Sequence, residues 1–289
     1  MGKQFQITSG ALTVLVDNTI MELLPDSNFI KRLSTPPTHF LAEHGFSALI
    51  ETEGGKILVD TGSTGIALQH NLKQLGLSFD AIDLIFLSHG HYDHTGGLPA
   101  ATGRVIAHPD AFCERFLVPK QGISIDVTGS APMAANHALE CHKGPVTLAE
   151  GVMTTGEVER VHDWEELPIF KIRKDGAEEI DRIWDDQAVI INSRQGLVIV
   201  AGCSHAGIVN TIKHAIKITG LAKIYCVIGG FHLIGPGEAK IDRTIEELKR
   251  LDIQKIVPLH CTGFEGIKKL STEMPDQFEY CTTGCRIEF

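Results

Sequence analysis

The sequence predicts an α/β protein built as a four-layer αββα sandwich, in which two β-sheets face each other and helices cover each outer face. Short apolar runs that end in glycine-rich turns are typical of strands. Some of the segments between them carry apolar residues at three- and four-residue spacing, which is typical of amphipathic helices. The two halves of the chain also resemble each other weakly, and such a repeat predicts two similar sheets.

Eight strands and three helices are predicted from these patterns. The strands of the first half are Ala11–Val16, Phe46–Glu51, Lys56–Asp60 and Leu84–Ser88. Those of the second half are Ala188–Asn192, Leu197–Ala201, Ile224–Ile228 and Lys255–Leu259. The predicted helices are Thr64–Leu75, Gly207–Thr219 and Glu238–Leu251, and Gly220 is a stop signal for the second of them.

The repeat predicts where the reactive residues lie. In the first half GGKILVDTGS leads to a helix and then to the strand DLIFLSHGH; in the second half QGLVIVAGCSH leads to a helix and then to IYCVIGGFH. Polar residues follow the strand ends in both halves, so reactive side chains are expected at one shared edge. The single domain 1–289 contains a less regular segment, 104–186, which we interpret as an insertion or lid near this edge; a plain surface excursion is the alternative.

Composition narrows the classes of partner. The net charge is −10 and no clustered basic face is evident, which argues against nucleic acid. The longest apolar run is too short to span a membrane, and Asp17 interrupts any signal-peptide pattern. Seven scattered cysteines favour reduced thiols and a cytoplasmic location. Five of them are predicted to be small core residues: Cys203, Cys226, Cys261, Cys281 and Cys285.

The strongest chemical signal is SHGHYDHTGGL at Ser88–Leu98, directly after an apolar strand. Alternate residues of a tight loop point to different sides, so this loop can supply two metal ions. His89 and His91 would reach one ion, and Asp93 and His94 the other. Imidazole and carboxylate ligands suit zinc, and also manganese or iron. The sequence therefore predicts two divalent metal ions.

This loop resembles the His-x-His-x-Asp-His signature of the metallo-β-lactamase superfamily. The resemblance implies that His205 of GCSH completes the first metal site and that His260 of LHCTG completes the second. It also implies that Asp60 of LVDTG supports a metal-binding histidine through a hydrogen bond. Many members carry a bridging Asp or Cys between the last two histidines, whereas this chain offers His232 there.

A narrower resemblance points to one subfamily. AEHGFSALIE, GCSHAGIVNTI, IGGFHL and HCTG resemble proteins labelled 7,8-dihydropterin-6-ylmethyl-4-(β-D-ribofuranosyl)aminobenzene-5′-phosphate synthases, of methanopterin biosynthesis. It favours a catalytic, substrate-facing role for His44, with Glu43 and Ser47 as further substrate-binding candidates. His232 could bind substrate, ligate a metal or donate a proton, the alternative being a packed histidine. Asp93 would orient the nucleophile, and His232 or His44 would protonate the leaving group.

These residues predict a metal-dependent hydrolase in which an activated water attacks a phosphoester or acyl group of a small anionic substrate. One alternative is a transferase that joins a dihydropterin pyrophosphate to ribofuranosylaminobenzene phosphate. A mono-iron oxidoreductase is another. A binding module without activity is disfavoured because all six expected ligands are present. The chain could also form a homodimer.

Overall fold

The computed structural model describes residues 6–119, 123–131, 136–174, 176–235 and 237–289. The α-helices in this part of the chain are α1 (Ile66–Gln74), α2 (Tyr92–Thr95), α3 (Ile208–Thr219), α4 (Glu238–Leu248) and α5 (Gly263–Glu273). The strands of the first half are β1 (Gly10–Val16), β2 (Ile30–Arg32), β3 (Ser47–Thr52), β4 (Gly55–Val59), β5 (Leu84–Phe86), β6 (Gly103–Ala107), β7 (Glu114–Leu117), β8 (Ile125–Asp126) and β9 (His137–Cys141). The later strands are β10 (Thr147–Ala149), β11 (Val152–Thr154), β12 (Phe170–Lys174), β13 (Ala177–Ile180), β14 (Ala188–Ser193), β15 (Gly196–Ala201), β16 (Ile224–Gly230), β17 (Ile253–Leu259) and β18 (Cys285–Glu288).

Two large sheets form the centre of the molecule. The first has the order β2-β18-β1-β3-β4-β5-β6-β9, and the second has the order β10-β11-β14-β15-β16-β17. In the first, β4, β5 and β6 are parallel neighbours; in the second, β15, β16 and β17 are parallel neighbours. Because the carboxyl ends of parallel strands meet at one edge, each sheet has an edge where several loops converge.

The core confirms the predicted four layers. Side chains such as Val14 and Phe86 of the first sheet pack with Val200 and Ile228 of the second in one buried cluster between the sheets. A second cluster joins the outer face of the second sheet to α3, α4 and α5, and a third joins the first sheet to α1. Helices therefore cover the outer face of each sheet, as an αββα sandwich requires.

All eight predicted strands are present, with ends that differ by one or two residues. Leu84–Ser88 ends two residues early, at Phe86, because the chain turns into the histidine-rich loop. The helix α5 was not predicted, since two glycines in GFEG weaken the helical pattern of its first turn. Within the described residues, no helix is both long enough and apolar enough to cross a membrane.

The segment 104–186 contributes to three sheets. Its strands β6 and β9 belong to the first large sheet, and β10 and β11 belong to the second. The remaining strands form a small sheet of order β13-β12-β7-β8. The Phe170 ring of β12 packs against His91 and His205, with centroids 5.0 Å and 5.2 Å apart. This small sheet therefore borders the predicted site, and its action as a lid stays a prediction.

Candidate functional site

The histidine-rich loop is held in place by its own backbone and by Asp60. Asp60 follows β4, and its carboxylate accepts hydrogen bonds of 2.7 Å from the backbone N–H and the hydroxyl of Ser88. Gly90 lies so close to its neighbours that a Cβ there would sit 1.9 Å from the carbonyl oxygen of Ala111. A larger residue at position 90 would therefore displace the loop.

The first group of possible metal ligands is a triangle of imidazoles from His89, His91 and His205. Their ring centroids are 4.7, 4.8 and 4.8 Å apart. Nε2 of His89 lies 3.1 Å from Nδ1 of His91. Two nitrogens bound to one zinc ion at tetrahedral angles lie about 3.4 Å apart, so this spacing suits a shared ion. The three rings could hold one metal ion and leave further coordination positions open.

The second group consists of Asp93, His94 and His260, whose ligand atoms lie within 4.8 Å of one another. Oδ2 of Asp93 is 3.3 Å from Nε2 of His260 and 3.9 Å from Nε2 of His94. The His94 ring lies 4.2 Å from the His89 ring, which joins the two groups. All six residues named as metal ligands from the sequence are thus brought together in two adjacent groups.

Hydrogen bonds fix which nitrogen each ring presents to the cluster. Nδ1 of His94 donates to Asp60 over 2.7 Å, and Nδ1 of His260 donates to Oδ1 of Asn18 over 3.0 Å. Nδ1 of His89 lies 3.0 Å from the Ser88 hydroxyl. With Nδ1 engaged in each ring, Nε2 is the nitrogen that faces the cluster, which is the arrangement that metal-binding histidines use.

Buried polar atoms without a partner test whether a metal fits. Nε2 of His205 is buried and lacks a hydrogen-bond partner among the described residues. Nε2 of His260 is buried 3.3 Å from the Asp93 carboxylate, without a well-directed hydrogen bond among those residues. Such orphaned nitrogens are unfavourable in a protein interior unless another group satisfies them. A divalent cation in each group would satisfy both, so the residues fit the two metal ions that the sequence predicts.

The two groups of possible metal ligands differ in the pKa shifts of their histidines. Burial lowers the pKa of His89 and His205 well below the ordinary value, so both rings are neutral near neutral pH. Burial alone would also lower the pKa of His94, but the carboxylates of Asp60 and Asp93 raise it to about 9. The first group therefore offers neutral imidazoles, while the second lies in a negative environment that favours a cation.

Strained backbone marks the strand ends that build the cluster. Asp60, Ser204, His232 and His260 all have positive φ, between 46° and 58°. A residue with a side chain rarely adopts this conformation, and such residues concentrate at functional sites. Each of the four follows a strand of the two large sheets, so the shared edge is strained at several points.

The structure places His44 and His232 beside the cluster. Nε2 of His44 is 3.3 Å from Oδ2 of Asp93, and 59% of its side chain is exposed. The hydrogen bond to Asp93 raises the pKa of His44 despite partial burial. The His232 ring lies 4.2 Å from the His205 ring. His44 thus lies at the solvent-facing side of the second group, and His232 extends the first.

Ser47 and Glu43 make hydrogen bonds to Asp60 and to the chain that follows it, and the prediction that they bind substrate stays a prediction. Ser47 is fully buried, and its hydroxyl donates to the carbonyl of Asp60 over 2.8 Å. The carboxylate of Glu43 accepts from the backbone N–H groups of Ser63 and Thr64 and from the Thr64 hydroxyl. Both side chains stabilise the chain that follows β4, whose backbone groups need hydrogen-bond partners.

A buried ion pair beneath the loop was missed. The guanidinium of Arg115, on β7, donates two 2.7 Å hydrogen bonds to Asp185 and lies 3.2 Å from Asp181. Asp185 in turn accepts the N–H of Gly90 over 2.8 Å. The acidic pair in WDDQ, directly before a predicted strand, was the available signal, but nothing in the sequence indicated its partner.

Two carboxylates that hold the backbone beside His205 and His260 were also not predicted from the sequence. Asp186 accepts the N–H of Ala206 over 2.9 Å, and Asp17 accepts the N–H of His260 over 2.8 Å. Asp17 is more than 240 positions away from His260 in the chain. Such contacts depend on which strands are neighbours, and a sequence pattern does not show this.

Two cysteines that were predicted only as small core residues lie beside the candidate ligands. The prediction that Cys203 and Cys261 are small core residues is correct about burial, with 3% and 8% exposed. Yet Sγ of Cys203 lies 3.0 Å from Nε2 of His94, and both cysteines belong to groups that could hold a metal ion. The thiols therefore line the cluster itself.

Two cavities are each lined by one residue of the cluster. A cleft of about 470 Å³ borders His260 and is also lined by Phe264, Lys268 and Tyr280. A smaller one of about 150 Å³ borders His205, next to Arg160. The larger cleft has the size of a small-molecule site.

The fold and this ligand cluster define an αββα protein with a site suited to two metal ions, and comparison with known proteins identifies its family. The metallo-β-lactamase superfamily model matches residues 42–111. A 7,8-dihydropterin-6-methyl-4-(β-D-ribofuranosyl)-aminobenzene-5′-phosphate synthase of Methanocaldococcus jannaschii is 35% identical over 271 residues, covering 86% of this chain and 91% of the relative. The chain therefore belongs to the metallo-β-lactamase superfamily.

One further sequence relative and one solved structure are also similar to this chain. An uncharacterized protein of the same organism is 36% identical over 238 residues, covering 80% of this chain and 89% of that protein. The crystal structure of a metal-dependent hydrolase of the β-lactamase superfamily has a TM-score of 0.80 and 24% identity, covering 97% of this chain and 99% of that one. The structural likeness supports the fold, and the sequence relatives support the family.

Proposed function

We propose that this chain is a metal-dependent hydrolase that binds two divalent ions and cleaves a phosphoester or acyl bond of a small anionic substrate. The observation that carries the proposal is the adjacency of two ligand groups, His89 with His91 and His205, and Asp93 with His94 and His260. Two ions bound there would activate a water near neutral pH and stabilise negative charge on the substrate.

Protein side chains supply the remaining steps. Asp93 lies between His44 and His260, 3.3 Å from a ring nitrogen of each, so it would orient groups that enter the cluster. His44 is hydrogen-bonded to Asp93 and exposed on its other side, which suits a proton donor to a leaving group. His232 stands on the opposite flank, beside His205, and is the second candidate donor.

The cleft next to His260 supports a small substrate with negative charge. Its volume of about 470 Å³ lies within the range of small-molecule sites. Lys268 lines it and provides a positive charge, while Phe264 provides an apolar wall. A cytoplasmic location, a homodimer and the absence of nucleic-acid and membrane partners stay predictions.

The second candidate function is the synthase reaction, in which a dihydropterin pyrophosphate is joined to ribofuranosylaminobenzene phosphate. The identity of 35% to a protein named as such a synthase favours it. Both reactions need anion recognition and a Lewis acid, so the same cluster could serve either. The name of a relative is weaker support than a site, because one fold hosts many activities.

One experiment separates these functions. Purified protein is analysed for bound metal and then tested on phosphodiesters and lactones, and separately on the two synthase substrates together. The proposal expects about two ions per chain and hydrolysis that is lost in His89→Ala but retained in His142→Ala, a control at an exposed histidine. A coupled product without hydrolysis would establish the synthase instead, and a metal-free active protein would exclude both mechanisms.

A further inference from the structure

Cys203 occupies a central position in the ligand cluster. It follows β15 by two residues and is 3% exposed. Its Sγ lies 3.0 Å from Nε2 of His94. Nδ1 of that ring is already bound to Asp60, so Nε2 is the nitrogen available to a metal. A thiol in a plain core position would not face the metal-binding nitrogen of a histidine.

The neighbours of Cys203 come from both metal groups. Its Sγ forms one compact group with His89 and His94, which belong to different ions in the proposed scheme. It forms another with His205 on the first side, and a third with His260 on the second side. The ligand atoms of each such group lie within 4.8 Å of one another. Sγ therefore lies between the two groups.

Charge indicates why a further anionic donor is needed here. Among the residues that the structure describes, Asp93 is the one carboxylate in the groups that could hold a metal. Two divalent cations carry four positive charges, and like charges held close together are strongly unfavourable unless anionic ligands lie between them. A thiolate at position 203 would supply a negative charge at the place where it offsets both cations.

We propose that Cys203 is a metal ligand whose thiolate bridges the two ions, an inference that rests on the two-ion site of the proposed function. The thiol proton, which can be shared with Nε2 of His94 in the metal-free protein, is released to solvent as sulfur bonds to metal. No atom changes oxidation state. A soft sulfur ligand favours zinc, cobalt or iron over manganese and magnesium.

Cys226 provides the control because it is a buried thiol outside the ligand cluster. It lies in the apolar core between the two sheets and belongs to none of the groups of described residues that could hold a metal ion. Cys226→Ala therefore removes one buried thiol and leaves the proposed bridge intact.

The test uses the full chain loaded with cobalt(II), which gives an intense near-ultraviolet absorption band when a thiolate is bound to it. The wild type should show this band as two ions bind. Cys203→Ser should lose it, and Cys226→Ala should keep it. A band that persists in Cys203→Ser, or a wild type that binds two cobalt ions without the band, overturns the bridge but leaves the two-ion hydrolase standing.

A wild type that binds no cobalt, zinc or iron overturns both proposals, and it is distinguished by metal analysis of the same samples. X-ray absorption at the zinc edge of the wild type needs no variant, and it should show sulfur at about 2.3 Å. Cys203→Asp replaces the soft ligand by a hard one. It should lower the preference for zinc over manganese by at least about tenfold, because ligand changes exceed the effect of supporting residues.

Discussion

The two halves of the sandwich build the same cluster in different ways. The first half supplies His89, His91, Asp93 and His94 from one short stretch after β5, which runs into helix α2. The second half supplies single residues, His205 after β15 and, from a separate strand end, His260. The first half makes its contribution locally, whereas the second depends on the parallel alignment of β15, β16 and β17.

Different contacts support the two halves of the site. The loop is supported by buried carboxylates, since Asp60 binds Ser88 and His94, and Asp185 binds Gly90. The second half is supported at the N-terminus of α3, where Glu165 accepts backbone N–H groups. Substitutions in either half can therefore disturb the cluster without touching a ligand.

The largest effect is expected from removing a proposed ligand of the second ion, whether it comes from the first half of the sandwich or from the second. His94→Ala and His260→Ala should each lower the affinity for the second ion by more than about 100-fold, because loss of a ligand exceeds the loss of a supporting partner. Turnover should fall in parallel. Calorimetric titration with zinc measures the affinity. If His260→Ala kept both ions while His94→Ala lost one, the remote strand end would not belong to the site; His142→Ala serves as the control.

The next effect concerns the ion pair under the loop. Arg115→Met leaves Asp185 buried without its bidentate partner, so the free energy of unfolding should fall by about 3–5 kcal/mol. Urea denaturation measures it. Arg173→Met is the matched control, because this exposed arginine of the same small sheet pairs with Glu114 at the surface and should change stability far less than Arg115→Met. Equal losses in both variants would contradict a special role for the buried pair.

A smaller and more specific effect is expected at Asp60. Asp60→Asn weakens the hydrogen bond that orients His94, so metal affinity should fall about 10–100-fold while the fold is retained. Competition with a chelator gives the affinity, and circular dichroism reports the fold. Asp83→Asn, at a carboxylate that accepts the N–H of Lys56 away from the cluster, should bind metal like the wild type. Unchanged affinity in Asp60→Asn would show that Ser88 and the loop backbone alone position the ring.

The same contrast explains how much could be predicted from the sequence. The loop Ser88–Leu98 shows four candidate ligands at fixed spacing, and the strands around it alternate clearly with turns, so the fold and these four candidates followed from local patterns. His205 and His260 followed only from the resemblance to the superfamily. Arg115 and Asp17 could not be found in this way, because their partners lie far away in the chain. Cys203 lies two residues before His205 in the sequence, but the contact of its thiol with His94 depends on how the two sheets pack.

The smallest predicted effect is a change in stability with pH, caused by the buried carboxyl of Glu165 that supports the second half. Burial raises the pKa of Glu165 to about 7, although the N–H groups of Val209 and Asn210 and the nearby Lys240 and Lys213 oppose the shift. The folded chain therefore holds a proton that the unfolded chain releases near the ordinary value of 4.5. Between these two pKa values the folded state binds more protons than the unfolded state. The contribution of Glu165 to the free energy of unfolding is therefore greatest below about pH 4.5 and is lost as the pH rises through about 7.

Between about pH 5 and about pH 8, Glu165 should account for a loss of about 2 kcal/mol in the free energy of unfolding. Glu165→Gln cannot ionise, so its urea midpoint should vary less with pH than that of the wild type. Glu246→Gln, at an exposed position of α4, should keep the wild-type pH dependence. If Glu165→Gln and the wild type lost stability in parallel, the helix that follows His205 would not be held by a buried, titrating carboxyl. The pH sensitivity of this half would then have to come from other groups.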